Sequence, residues 1–139
     1  MRLTGRIVFA IQAAAELAGQ DDYLSLDGIA EEQGLPRDYV RSAMSDLRRA
    51  GIVRTRRGRE GGYQLARSAD AITLADIIRA VDGPLTVVQG ERPENIEYAG
   101  AAAGLEDVWL AVRTAERRIL EAVTLEHLRS GHLPPEVQP

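Results

Sequence analysis

Apolar side chains recur at helical spacing from the start of the chain: Leu3, Ile7, Ile11, Ala14, Ala15 and Ala18, with Thr4 placed to cap the helix and Gly19 to stop it. Ser25 is a candidate N-cap for a short second helix that buries Leu26, Ile29 and Ala30 and ends at Gly34. Gly34-Leu35-Pro36 then makes a turn. Proline has no amide to satisfy, so a third helix can begin about Pro36 and run to Ala50, with Gly51 as its cap. Val40, Ala43, Met44 and Leu47 give this helix an apolar stripe at i, i+3, i+4 and i+7, opposite a polar face of Arg37, Asp38, Arg41, Ser42, Ser45, Arg48 and Arg49. Tyr39 fits either the polar face or the core.

After Gly51 the period changes. Ile52-Val53-Arg54-Thr55 and Tyr63-Gln64-Leu65 are short β-capable runs on either side of the Gly-rich stretch Arg56 to Gly62, a pattern that predicts a β-hairpin. Thr73 and Asp76 fit a capping box ahead of Leu74, Ile77, Ile78 and Val81, and Asp82-Gly83-Pro84 ends that helix. Between Gln89 and Gly104 the pattern fades into a connector. Leu105, Val108, Trp109, Val112, Ile119 and Val123 then share one face of a predicted helix of about 19–20 residues, near 30 Å long. The small N-terminal module offers little core for such a helix, so a second copy of the chain is the economical cover for its apolar face. Thr124 is placed to start one final short helix, and the proline-bearing segment after Gly131 has the composition of a frayed tail.

The predicted fold class is mainly α with a small β-hairpin wing: a winged helix-turn-helix followed by a long C-terminal dimerisation helix. The boundaries are 1–83 for the DNA-binding module, 84–104 for the connector, 105–130 for the dimerisation helix and short terminal helix, and 131–139 for a flexible tail. Charge sharpens this division. Residues 1–67 carry 11 Arg against 9 acids and residues 68–139 carry 6 against 12, so a net charge of −4 conceals halves of +2 and −6. From Arg37 to Arg67 the chain is locally +6, a confined basic patch of the kind that neutralises phosphates. All 17 basic residues are Arg, whose planar forks suit phosphates, carboxylates and base edges. There is no cysteine, which excludes disulfides, thiolate zinc sites, cysteine nucleophiles and Cys-ligated iron–sulfur clusters. No apolar run approaches the roughly 18 residues of a membrane span or resembles a signal-peptide core, so the expected location is the cytoplasm, with no membrane partner.

Two helices joined by a Gly-containing turn, the second with a basic outer face, and then an Arg-rich hairpin form a DNA-binding arrangement. The helix fits the major groove, and an Arg-tipped hairpin enters the narrow minor groove, whose negative potential attracts guanidinium groups. Candidate contacts are Arg37, Asp38, Tyr39, Arg41, Ser42 and Ser45 on the helix, and Arg54, Arg56, Arg57, Gly58 and Arg59 on the wing, where glycines permit close backbone approach. Arg48 and Arg49 lie near the far end of the helix and are assigned to phosphates or to pairs within the chain. The bland alternative for the patch is a solvated face.

Particular motifs add to this reading. Phe9-Ala10-Ile11, Gly51-Ile52-Val53, Arg57-Gly58 with Gly61-Gly62-Tyr63-Gln64-Leu65, Ile72-Thr73-Leu74, and Asp76-Ile77-Ile78-Arg79-Ala80-Val81-Asp82-Gly83 resemble the Rrf-two family of bacterial regulators, the IscR/NsrR-like proteins. The resemblance is clear from about Leu3 to Gly83 and extends loosely to about Leu128. It implies a dimeric winged-helix transcription factor that crosses long C-terminal helices and binds an imperfect palindrome. Many members hold an iron–sulfur cluster on three cysteines in the segment matching Gln89–Gly104, and this chain has none there. In the family wing, often Arg-Gly-x-Gly-Gly-Gly-Tyr, Glu60 replaces the first glycine of the triplet.

The expected function is therefore a sequence-specific transcriptional regulator, a repressor, acting as a homodimer on duplex DNA with no cofactor predicted. Its input is open between an apolar small molecule, a partner protein and no ligand. A winged-helix module that binds a protein partner is the alternative, supported by Glu60 and the net negative charge. An enzyme has little behind it: there is no Gly-rich phosphate loop after a strand, no metal-ligand cluster, and no nucleophile beside a base. His127 and His132 read as surface residues, and Glu91, Glu94 and Glu97 as a solvated loop.

Overall fold

The structure, a computed structural model, describes residues 1–138. Its elements run α1 (Gly5–Leu17), α2 (Leu26–Gln33), α3 (Arg37–Arg49), β1 (Val53–Arg56), β2 (Gly62–Leu65), α4 (Leu74–Asp82), α5 (Leu105–Leu120) and α6 (Leu125–Ser130). Side-chain caps start most of the helices. The Thr4 hydroxyl accepts from the Ile7 amide, Ser25 from Gly28, and Thr73 and Asp76 form the reciprocal box ahead of α4. Such contacts satisfy amides that have no partner within the helix.

α1 is the hub. Ile7, Ala10, Ala13, Ala14 and Leu17 are buried, and the three alanines let α2, α3, α4 and α6 pack closely around one short helix. α3 contributes Val40, Ala43, Met44 and Leu47, and α4 contributes Ala75, Ile77, Ile78 and Val81. The α3 stripe is the one expected from the spacing of its apolar residues, whereas on α4 Ala75 is buried in place of the expected Leu74, which is half-buried at the start of the helix. One buried residue of α3 is not apolar: Asp46. Its carboxylate accepts from Arg6 of α1 at 2.8 Å and from Arg49 one turn on, so an ion pair joins α1 to α3 beside the apolar contact. Burial pushes the Asp46 carboxyl up, but hydrogen bonds from Arg49 and Arg6 and their charges outweigh that, and the group titrates below the ordinary aspartate value.

The C-terminal part departs from expectation in four places. α5 has 16 residues, ending at Leu120 short of Val123. Val123 is buried in the turn that follows: its carbonyl accepts from the Leu74 amide at 2.9 Å, and the Leu125 amide donates to Ile72 at 3.0 Å. A short antiparallel bridge between Thr73 and Thr124 therefore pulls the chain off the helix and returns it to the N-terminal module, where Leu125 of α6 is fully buried. Val123 is a core residue of one chain and does not belong to an outward dimerisation face. His127 is not an idle surface residue either, since its Nδ1 accepts from the Thr124 amide at 3.0 Å while the Thr124 hydroxyl accepts from the His127 amide, boxing α6. The segment expected to fray forms a 3-10 turn at Pro135–Val137 that packs on α5, and Pro139 lies outside the described residues. The 84–104 connector also contains 3-10 turns at Pro93–Asn95 and Gly100–Ala102. No helix among the described residues is long and apolar enough to cross a membrane.

Replacing Asp46 by Ala leaves two guanidinium groups without their shared acceptor and is expected to cost about 1–3 kcal/mol of stability at neutral pH in urea unfolding. The folded-state pKa is lowered, so this contribution is complete above the ordinary aspartate value of 3.8 and is lost as pH falls below it through the folded-state value. The stability curves of wild type and Asp46→Ala should therefore converge in acid. A gap that stays constant with pH would contradict the clamp.

Candidate nucleic-acid interface

The turn between α2 and α3 is closed by Gly34, which adopts a left-handed conformation (φ 62°) as the cap of α2, and by the Leu35 amide, which donates to Ala30 at 2.9 Å. Burial of the α3 stripe turns the other side of that helix outward, and Arg37, Asp38, Tyr39, Arg41, Ser42 and Ser45 are all exposed. Tyr39, which fitted either face, is 56% exposed, its ring 5.2 Å from that of Phe9 on α1. Arg37 pairs with Asp27 of α2, and Arg41 lies 3.7 Å from Asp38. Exposed pairs of this kind are worth about 1 kcal/mol or less, so a phosphate or base edge can replace the carboxylate. No side chain caps the start of α3, which leaves first-turn amides available to an anion. Arg49 is committed to Asp46, one of the two roles open to it from the sequence.

The wing is a two-stranded antiparallel sheet in which Val53 faces Leu65, Arg54 faces Gln64, Thr55 faces Tyr63 and Arg56 faces Gly62. It is fastened to the body along the segment before α2. Leu24 and Tyr63 exchange both backbone hydrogen bonds, at 2.9 and 2.8 Å, adding one bridge to the sheet edge. Arg54 donates twice to the Gln64 side chain, whose amide in turn donates to the Asp21 carbonyl. Arg56 donates to the Glu60 carbonyl at 2.6 Å, lies 3.5 Å from Asp22, and stands 4.3 Å over the Tyr23 ring. Arg54 and Arg56, expected to contact DNA, are thus occupied in holding the wing. Arg57 and Arg59, on either side of Gly58 at the tip, have no side-chain partner among the described residues.

The two glycines after Glu60 serve a different purpose from the expected approach to DNA. A Cβ on Gly61 would lie 2.1 Å from the Arg56 carbonyl oxygen, and one on Gly62 (φ 143°) would lie 2.3 Å from the Leu24 carbonyl oxygen. They are needed where the hairpin closes and where it meets Leu24. Asp21, Asp22, Tyr23 and Leu24 had no signal in the sequence beyond lying before a helix cap, because their contacts are more than 30 residues away along the chain.

On α5, Val108, Val112 and Ile119 are exposed, and Leu105 and Trp109 are half-buried. Trp109 donates its indole N–H to the Tyr98 hydroxyl at 3.0 Å, so the connector already covers part of the ring. Met1, Leu3, Val112, Ala115, Ile119 and Leu120 line an apolar groove of about 420 Å³.

Residues 3–130 match the model of the family described as Rrf2, iron-dependent transcriptional regulator. The chain belongs to the Rrf2 family. A Mycobacterium tuberculosis (strain H37Rv) protein named as an HTH-type transcriptional regulator is 37% identical over 139 residues, spanning 99% of this chain and 86% of its own. The structure of CymR, the global cysteine regulator of Bacillus subtilis, is similar with a TM-score of 0.75 and 31% identity, over 94% of this chain and 98% of that one. T. potens IscR matches with a TM-score of 0.75 and 28% identity, over 100% of this chain and 92% of that one. The mainly helical fold with its small hairpin is therefore the winged-helix fold of Rrf2 regulators.

The family description names iron, and the chain's own side chains limit what could hold it. It contains no cysteine, and among the described residues no group of three or more His, Cys, Asp or Glu side chains is placed to hold a metal ion. In the connector, Glu94 is engaged by Arg113 at 2.6 Å. Thiolate ligation of iron does not fit these residues.

Gly62→Ala is expected to destabilise the protein by at least about 1 kcal/mol more than Gly58→Ala, because a backbone oxygen blocks the first and open space surrounds the second. Thermal unfolding of both variants checks this. Equal losses would mean that the Leu24 bridge does not hold the wing.

Proposed function

We propose that this Rrf2 chain binds specific duplex DNA as a homodimer, with α3 in the major groove and the wing tip in the minor groove, and represses transcription by occupying promoter DNA. The observation that carries the reading is the outward face of α3 followed directly by a wing whose tip offers two uncommitted guanidinium groups, Arg57 and Arg59. Tyr39, Arg41, Ser42 and Ser45 are the base-reading candidates, Arg37 and the free amides of α3 hold phosphates, and Arg54 and Arg56 position the wing. Glu60 is exposed beside Arg59, which offsets its repulsion from phosphate. The working location is the cytoplasm, and no catalytic step is assigned.

The second copy is proposed to lay its own α5 on the apolar groove beside Val112 and Ile119. Val108, Val112 and Ile119 are 50%, 39% and 38% exposed, and contact with the same face of a two-fold partner removes all of them from water. Such a dimer presents its two α3 helices to half-sites about 10 bp apart or a multiple of that spacing. The proposed regulator works without a resident iron–sulfur cluster, because the chain supplies no thiolate to hold one.

Fluorescence anisotropy with the chain's own upstream DNA, across a salt series and with scrambled duplex as competitor, tests the reading. The expected result is competitor-resistant binding whose log affinity falls linearly with log salt, by about 0.9 per phosphate contacted. Absence of binding to any duplex at low salt would overturn it in favour of a protein-binding module. In the same assay Arg57→Ala should cost about 1–3 kcal/mol, and an unchanged affinity would remove this residue from the groove. Val112→Glu should give a monomer by light scattering with loss of operator binding, whereas a variant that remains dimeric would place the interface elsewhere.

A further inference from the structure

Four arginines converge on a cavity of about 300 Å³ where the end of α4 meets the connector and the middle of α5. Arg79 comes from the last turn of α4, Arg92 from the connector, and Arg113 and Arg117 from successive turns of α5. Thr86 and Leu85 complete much of the wall, and no carboxylate lines it. The concentration runs against local composition, since residues 68–139 hold only six arginines against twelve acids. Four of the six meet here.

Two of these guanidinium groups are held from outside the cavity. Arg113 donates to Glu94 and Arg79 to Glu121, each at 2.6 Å, which fixes their direction while leaving other N–H groups of each fork free. Arg113 is the more enclosed, with 23% of its side chain exposed. The Thr86 hydroxyl donates to Glu116 at 2.6 Å, which holds that third acid by the wall instead of across it. Arg92 and Arg117 have no salt-bridge partner among the described residues. With Arg79 and Arg113 already paired, Arg92 and Arg117 supply the uncompensated charge at this partly enclosed space, and an anion entering it neutralises that charge and gains bidentate, charge-assisted hydrogen bonds.

We propose that this cavity binds a small anion bearing two or more negative charges on carboxylate or phosphate groups, and that this anion is the regulator's effector; the second half rests on the regulatory reading above. The volume lies at the lower end of small-molecule sites, which selects a compact metabolite over a nucleotide-sized one. The forks reach it from both α4 and α5. α4 packs on α1 and α3, so an anion shared between Arg79 and the two α5 arginines ties the recognition module to the helix proposed to pair the subunits. Tightening that joint changes how the two α3 helices are presented to DNA, and by linkage the duplex changes anion affinity by the same factor.

Isothermal titration of the full chain, without DNA and at constant ionic strength in chloride, tests the site with inorganic phosphate, pyrophosphate, succinate and citrate as probes. The expected result is saturable binding of one anion per chain, at least tenfold tighter for a multivalent probe than for acetate. A double variant Arg92→Gln/Arg117→Gln should weaken it at least tenfold with an unchanged melting profile, while Arg118→Gln, on the same helix outside the cavity, should not. Operator affinity should then shift on adding the bound probe in wild type and not in the double variant. No saturable heat with any probe, or equal binding by the double variant, would overturn the site while leaving operator binding to stand or fall on its own assay. Weaker duplex binding by the double variant without any anion would identify the cavity as a DNA-phosphate contact and also overturn the proposal. Anion binding that leaves operator affinity unchanged would overturn the effector role.

Discussion

Contact between the apolar stripe of α3 and the alanine-rich face of α1 determines what the rest of the molecule can present. Val40, Ala43, Met44 and Leu47 are each no more than 2% exposed, so the helix cannot rotate about its axis without bringing several of them into water. Asp46 limits it further by joining Arg6 across the same contact, and a charged group this buried tolerates little movement away from its partners. With rotation fixed, Tyr39, Arg41, Ser42 and Ser45 face outward as a consequence of packing. The outward set needs only weak pairs of its own, which suits side chains that must exchange partners on binding.

The wing depends on that placement at one remove. β1 follows α3 after a single tight turn, in which the Ile52 amide donates to the Leu47 carbonyl, and burial of Ile52 and Val53 carries the geometry of α3 into the hairpin. Leu24 then pairs with Tyr63 from the other side. A two-stranded hairpin alone is marginal in water, and the Leu24 bridge together with the Arg54 and Arg56 contacts gives this one a third point of support. The division of labour among its arginines follows: those on the strands hold the wing, and those at the tip remain free.

Much of this was legible in the sequence because it depends on neighbours along the chain. The caps at Thr4, Ser25 and Thr73, the left-handed glycines at 34 and 51, the α3 stripe and the hairpin all arise from contacts a few residues apart. What was not legible depends on distant ones. Nothing near Asp46 indicates that Arg6 will meet it, and nothing near Arg56 marks the Tyr23 ring. Val123 satisfied the helical period, yet the backbone bridge between Thr73 and Thr124 took it into the core, a case of long-range pairing overriding a local pattern. Gly61 and Gly62 had the correct residue type for a reason other than the expected one, because the backbone that crowds them lies in Arg56 and in the segment before α2.

α5 differs in kind from the other helices. It has no fully buried residue, and Val108, Val112 and Ile119 stay exposed on one face while its other flank carries Arg113 and Arg117 toward α4. On the proposed reading, regulation acts at the junction between α4 and α5, and recognition rests on the α1–α3 contact. Backbone amide chemical shifts followed during titration with operator duplex test most directly whether packing of α3 on α1 creates the DNA-reading surface. The largest changes are expected from Arg37 to Ser45 and from Arg57 to Arg59, with the buried stripe following only as those neighbours move. Changes concentrated on α5 and α6, with α3 and the wing tip unmoved, would contradict it.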